Sequence, residues 1–164
     1  QIDANDRVPM GHPTVPEITY GFGVNVIYKK FDLGVLFQGV ANTSFFINDI
    51  QPFAQNERNV LKAIADDYWT EDNQNFHAFY PRLSEFENPN NTQNSSWWLR
   101  DGAFIRLKNA EIGYQYNPKV RFYSNGVNLI TFSKFDLWDP EQGGGNGLGY
   151  PPQRVINVGV QINL

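Results

Sequence analysis

Arg154-Val155-Ile156-Asn157-Val158-Gly159-Val160-Gln161-Ile162-Asn163-Leu164 is the stretch on which the fold turns. Ile156, Val158, Val160, Ile162 and Leu164 share one face, and Asn157, Gly159, Gln161 and Asn163 share the other. Strict alternation with an aliphatic face and a small polar face is the signature of a β-strand. Residues 18–28 repeat it: Ile18, Tyr20, Phe22, Val24, Val26 and Tyr28 against Thr19, Gly21, Gly23 and Asn25.

Three further strands are expected, at about 31–40, 104–116 and 120–129. The third strand of the five, 104–116, changes phase: Ile105 and Leu107 are odd, whereas Ala110, Ile112, Tyr114 and Tyr116 are even. A β-bulge near Lys108–Asn109 would explain the slip, and so would a lumen packed with protein at one end. The connections then alternate in length. Lys29–Lys30 and Asn117-Pro118-Lys119 are tight turns, while residues 41–103 and 130–153 are long loops. That rhythm is the one transmembrane β-barrels show, with short periplasmic turns and long extracellular loops. A periplasmic C-terminus places both tight turns in the periplasm and both long loops outside. Five strands do not close a barrel, which needs at least about eight, so the remaining strands are expected from elsewhere. The chain begins with Gln1 and shows no signal peptide, as expected of a mature chain or a piece of a longer one.

Composition agrees with this class. Of 164 residues, 15% are aromatic and only 18% charged, so Asn, Gln, Ser, Thr and Gly supply the polarity. A net charge of −4 argues against nucleic-acid binding, which needs a basic stripe. With no cysteine there is neither a disulfide framework nor thiol chemistry. No apolar run reaches the roughly 18 residues of a membrane helix, but barrel strands cross with about 9–11 residues of alternating polarity. In the first long loop, 56–68 has helical spacing: Val60, Leu61, Ile64 and Tyr68 form a stripe, with Asn56 as N-cap. Pro81 and Pro89 break the Asn-rich remainder.

Longer motifs carry a family likeness. Trp98-Leu99-Arg100-Asp101-Gly102-Ala103-Phe104-Ile105-Arg106-Leu107-Lys108-Asn109-Ala110-Glu111-Ile112-Gly113-Tyr114 resembles the penultimate-hairpin signature of SusC/RagA-like TonB-linked outer-membrane proteins. Tyr68-Trp69-Thr70-Glu71-Asp72-Asn73 followed by Tyr80-Pro81-Arg82-Leu83 is similar to an extracellular segment of that family. Asp139-Pro140-Glu141 and Gly149-Tyr150-Pro151 resemble its final loop, and Phe31-Asp32-Leu33 with Phe37-Gln38-Gly39 a common hairpin. Leu164 stands where the family usually has an aromatic. The resemblance implies the last five strands of a plugged barrel of about 22 strands. It further implies an outer-membrane TonB-dependent importer of glycans or peptides, working with a SusD-like surface lipoprotein as its lid. The segment that contacts TonB, and the plug, lie at the family's N-terminal end.

Candidate sites are few. Trp69, Trp97, Trp98 and Trp138, with Phe76, Phe79 and Tyr80, are candidates for contacting solute or lid. The alternative is that they pack the loops or form an interfacial aromatic girdle. Asp3, Asn5 and Asp6 resemble the tail of a calcium-type loop of hard oxygen ligands, though a plain polar turn has the same composition. Glu85 and Glu87 share a loop but lack the pocket a glycosidase pair needs. His12 and His77 have no partner pattern for metal or triad chemistry. The sequence offers no cofactor signature and no catalytic constellation. A soluble β-sandwich that binds carbohydrate through its rings is the competing reading; it would bury the aliphatic face in a core, whereas a barrel shows that face to lipid.

Overall fold

The computed structural model describes residues 4–48, 50, 52, 60–85 and 88–163. Seven strands run in chain order: β1 (Ile18–Tyr28), β2 (Phe31–Ala41), β3 (Ser44–Phe46), β4 (Leu99–Asp101), β5 (Phe104–Asn117), β6 (Val120–Ser133) and β7 (Val155–Ile162). Five of them form one antiparallel sheet in the order β1-β2-β5-β6-β7, and β3 pairs with β4 as a two-stranded ribbon. The ribbon was not foreseen. It brings the two ends of the first long loop together directly above β2 and β5. β6 continues to Ser133, beyond the expected end at residue 129, because its partner β5 reaches far enough to pair Phe104 with Ser133.

Register explains the phase slip in β5. Leu36 pairs with Asn109 and Phe37 with Leu107, which leaves Lys108 as the extra residue against β2. On the other side Leu107 pairs with Ile130 and Asn109 with Val127, so β6 compensates with Asn128 at φ 55°. The expected bulge is therefore present, and it returns Ile105, Leu107, Ala110, Ile112 and Tyr114 to a common face.

Reading across the ladders, the middle of that face is the row Val24, Val35, Ala110, Gly126 and Ile156. Toward the tight turns lies a row of rings, Tyr28, Phe31, Tyr114 and Phe122, with Phe31 and Tyr114 centroids 4.9 Å apart. Toward the loops Tyr20, Ile105 and Phe132 form the matching row. Gly39 is required there: a Cβ would meet the Tyr20 ring at 2.5 Å, and the ring crosses it so that the Tyr20 hydroxyl donates to the Phe104 carbonyl at 3.4 Å. From Tyr20 to Tyr28 the strand advances roughly 27 Å at about 3.4 Å per residue. Tilted by about 40°, it rises roughly 20 Å, close to the apolar band of a barrel.

The apolar face is not the core. Val24, Ile156 and Val158 are 53%, 67% and 84% exposed. Burial is concentrated in the loops instead, where Phe45, Ile47, Ile50, Ile64, Tyr80, Trp98 and Phe135 form one cluster. Helix α1 (Lys62–Asp66) delivers Ile64 to it, with Val60, Leu61 and Tyr68 packed around the rim. Of the expected helix 56–68, residues 60–68 are described, and among them Lys62–Asp66 are helical, preceded by Leu61, which makes no side-chain cap; residues 56–59, Asn56 included, lie outside the described residues. Pro89, expected only as a breaker, opens a second short helix, α2 (Pro89–Thr92), capped by the Asn88 side chain. Proline suits the first turn of a helix, where no intrahelical N–H bond is lost.

Candidate functional site

The face opposite the apolar one carries a polar row, flanked by Ile27, Leu36 and Val127. Asn25, Gly34, Glu111, Asn125 and Asn157 lie opposite one another across all five strands. The first four of them border a groove of about 760 Å³ that also touches Asp32 and Gly126. Arg121 organises the row beside it. Its Nε donates to Asp32 at 3.1 Å and its Nη2 to both Asp32 and, at 2.8 Å, Glu111. The Asn125 amide donates to Glu111 at 3.2 Å, and Asn157 donates to Asn125 at 3.0 Å. One chain of polar contacts thereby joins β2, β5, β6 and β7.

Gly113 makes room for it. A Cβ there would stand 2.2 Å from the Arg121 guanidinium and 2.4 Å from an Asp32 oxygen. Gly113→Ala is expected to push this network apart, costing about 1–3 kcal/mol as overpacking does. In equilibrium unfolding of the whole protein in detergent, the double variant with Arg121→Gln should lose clearly less than the sum of the two single variants, because both act on one network. Simple additivity would count against this account.

A second cluster lies where the sheet meets the loops. Arg106 on β5 is only 1% exposed. Its Nε donates to Thr131 at 2.9 Å, its Nη1 to Glu141 at 2.7 Å, and its Nη2 to both Asp139 oxygens at 2.5 and 2.7 Å. The guanidinium also lies 5.3 Å from the Phe104 ring centroid. Asp139 in turn caps the 3-10 turn Pro140–Gln142 by accepting from the Glu141 N–H at 3.0 Å. The final loop is therefore clamped to the sheet at a buried, bidentate ion pair. Arg106, Asp139, Glu141, Arg121, Asp32 and Glu111 were all missed as site residues. The available signal was an arginine, Arg106, between the apolar Ile105 and Leu107 of a strand expected to cross a membrane.

The four tryptophans divide. Trp98 is 4% exposed, donates to the Asn91 carbonyl at 2.9 Å, and packs against Tyr80 and Phe79 at 5.7 and 6.4 Å between centroids. Trp138 contacts Phe135 edge-on at 4.8 Å and donates to the Gly143 carbonyl at 3.0 Å. Trp98 belongs to the buried loop core, and Trp138 packs against that core, partly buried. Trp97 is 41% exposed and donates to the Phe79 carbonyl at 3.2 Å. Trp69 lies 5.9 Å from the Arg82 guanidinium, at the start of the 67–80 turn that Asp67 closes by accepting from the Phe79 and Tyr80 N–H groups. Arg100 donates to the Trp97 and Leu99 carbonyls, and burial pushes its pKa down against the opposing pull of Asp136. Asn5 and Asp6 lie on the 3-10 turn Ala4–Asp6, while Asp3 and Glu87 lie outside the described residues. His12 is beside Glu17 at 3.8 Å, and His77 is exposed on the 67–80 turn.

A two-faced antiparallel sheet with tight turns at one end and self-packed loops at the other defines the class: an all-β sheet of the sort that builds TonB-dependent barrels. No protein-family model matches the chain. TonB-dependent receptor P26 of Formosa agariphila is 28% identical over 99% of it, and TonB-dependent receptor P3 of the same bacterium is 28% identical over 100%. The chain spans 18% of the length of each. The RagAB peptide importer in its closed-closed state superposes on 99% of the chain with a TM-score of 0.75 and 25% identity, over 19% of that chain. The open-open state matches with a TM-score of 0.71 at 24% identity, which speaks for the fold. The likeness to SusC/RagA-like TonB-linked outer-membrane proteins therefore holds across the whole chain.

Proposed function

We propose that this chain forms the last five strands and two long loops of a TonB-dependent outer-membrane importer. In this reading the barrel has about 22 strands around a plug. It takes up glycans or peptides together with a SusD-like surface lipoprotein, and TonB is engaged through a segment outside this chain. Residues 41–103 and 130–153 are extracellular, and the C-terminus is periplasmic. The relatives are named as receptors and importers rather than enzymes, and the RagAB structures make peptides the first solutes to try.

The observation that carries the proposal is the uncovered apolar face. Val24, Ile156 and Val158 lie open on the sheet while the loops build a buried core of their own. A sandwich would cover that face with a second sheet; a barrel would cover it with lipid. β1 and β7 are the sheet's two edges, and in a bilayer their free backbone groups must pair with further strands.

The test is depth-resolved quenching in the complete protein reconstituted in vesicles. A fluorophore on Val24→Cys should be strongly quenched by lipids brominated along the acyl chain, and one on Asn25→Cys hardly at all. Equal quenching at the two neighbours would defeat the membrane reading.

A further inference from the structure

The two tight turns carry Lys29, Lys30 and Lys119 and no acid. Of the chain's 17 acidic residues, only Asp32 and Glu111 fall on the five strands of the large sheet, and Arg121 engages both. By sequence, every other acid lies in the long loops or before β1. The tight-turn end of the sheet thus carries an excess of positive charge, with Lys29, Lys30, Lys119 and Arg121 against Asp32 and Glu111.

These lysines sit where a headgroup layer would be. Lys29 is turned toward the apolar side, its Nζ 5.2 Å from the centroid of the Tyr28 ring. Tyr28 belongs to the ring row with Phe31, Tyr114 and Phe122. The Lys30 Nζ donates to the Tyr116 carbonyl at 3.2 Å, leaving two of its donors free. The two turns are close, because the Lys30 carbonyl accepts from the Gln115 N–H at 2.7 Å just before Asn117-Pro118-Lys119. Rings at the interface with ammonium groups beyond them match an apolar chain joined to an anionic headgroup.

We propose that Lys29, Lys30 and Lys119 form a basic rim that holds anionic phospholipid headgroups in the leaflet at the tight-turn end. This rests on the membrane reading above and adds to it a lipid class and three binding residues. The phosphate of the lipid is the ligand, held from the membrane side rather than from the lumen.

The experiment is native mass spectrometry of the complete protein in detergent, offered equal amounts of phosphatidylglycerol and phosphatidylcholine. Wild type should retain phosphatidylglycerol preferentially. Lys29→Gln/Lys30→Gln/Lys119→Gln should lower that preference about tenfold or more, since each lysine near an anionic surface contributes several-fold. Replacing all three by arginine should keep it, and excess inorganic phosphate should not displace the lipid. Undiminished preference in the glutamine variant would overturn the proposal, and so would displacement by inorganic phosphate, which would indicate a free-anion site. Equal retention of both lipids by wild type would sink the basic rim alone; a protein that stays in solution without detergent and retains neither lipid would sink the membrane reading with it.

Discussion

Replacing Arg106 by alanine is expected to release the final loop from the sheet and to cost about 3–5 kcal/mol, the range found when one partner of a buried ion pair is removed. The guanidinium links β5 to Asp139 and Glu141, two carboxylates that would be left side by side without it. Asp139 is 18% exposed, so it has little access to water in compensation. It also caps Pro140–Gln142, so its displacement should loosen that turn too. Arg106→Lys should recover only a small part of the loss, because an ammonium cannot serve Thr131, Asp139 and Glu141 through one planar fork. Asp139→Asn should fall between the two. The readout is the rate of protease cleavage within residues 134–154 of the complete protein, alongside its denaturant midpoint. A loop as resistant in Arg106→Ala as in wild type would show that the clamp does not hold it.

The strands were legible because each carries its own evidence. In β7 and β1 the alternation of Ile156 to Ile162 and of Ile18 to Tyr28 needs no knowledge of neighbours. Even the Lys108 bulge could be located, since a one-residue insertion shifts the phase of every apolar residue after it. The clamp is different. Arg106 and Asp139 are separated by 33 positions and Arg106 and Glu141 by 35, and both acids lie in a loop with no periodicity to place them. The ribbon of β3 and β4 is too short to show alternation. Trp98 and Trp138 illustrate the same limit. An aromatic in a loop has one composition whether it is packed inside or presented outside, and only the contacts with Tyr80, Phe79 and Phe135 decide it. Strand residues declare their face by period; loop residues acquire theirs from partners far along the chain.

Placing arginine on the apolar face should have a cost that depends on height. Ile156 lies in the row with Val24, Val35, Ala110 and Gly126, midway between the two aromatic rows, whereas Val160 is level with Phe122. In a bilayer Ile156→Arg puts a charge near the midplane, expected to cost about 2–4 kcal/mol, and Val160→Arg puts it at the interface, at about 0–1 kcal/mol. Val158→Arg should be intermediate. These three residues are all more than half exposed on the same strand, so packing within the chain cannot produce such a gradient. Asn157→Arg supplies the opposite face, where the residue stands across from Asn125, and should leave insertion intact. Unfolding by urea from thin-bilayer vesicles measures the ordering, and heat-modifiable migration on gels reports assembly. In a soluble sandwich the cost would follow local packing density instead of depth. Equal penalties at Ile156 and Val160 would therefore remove the bilayer from the explanation, while a graded series would mean that β7 crosses one.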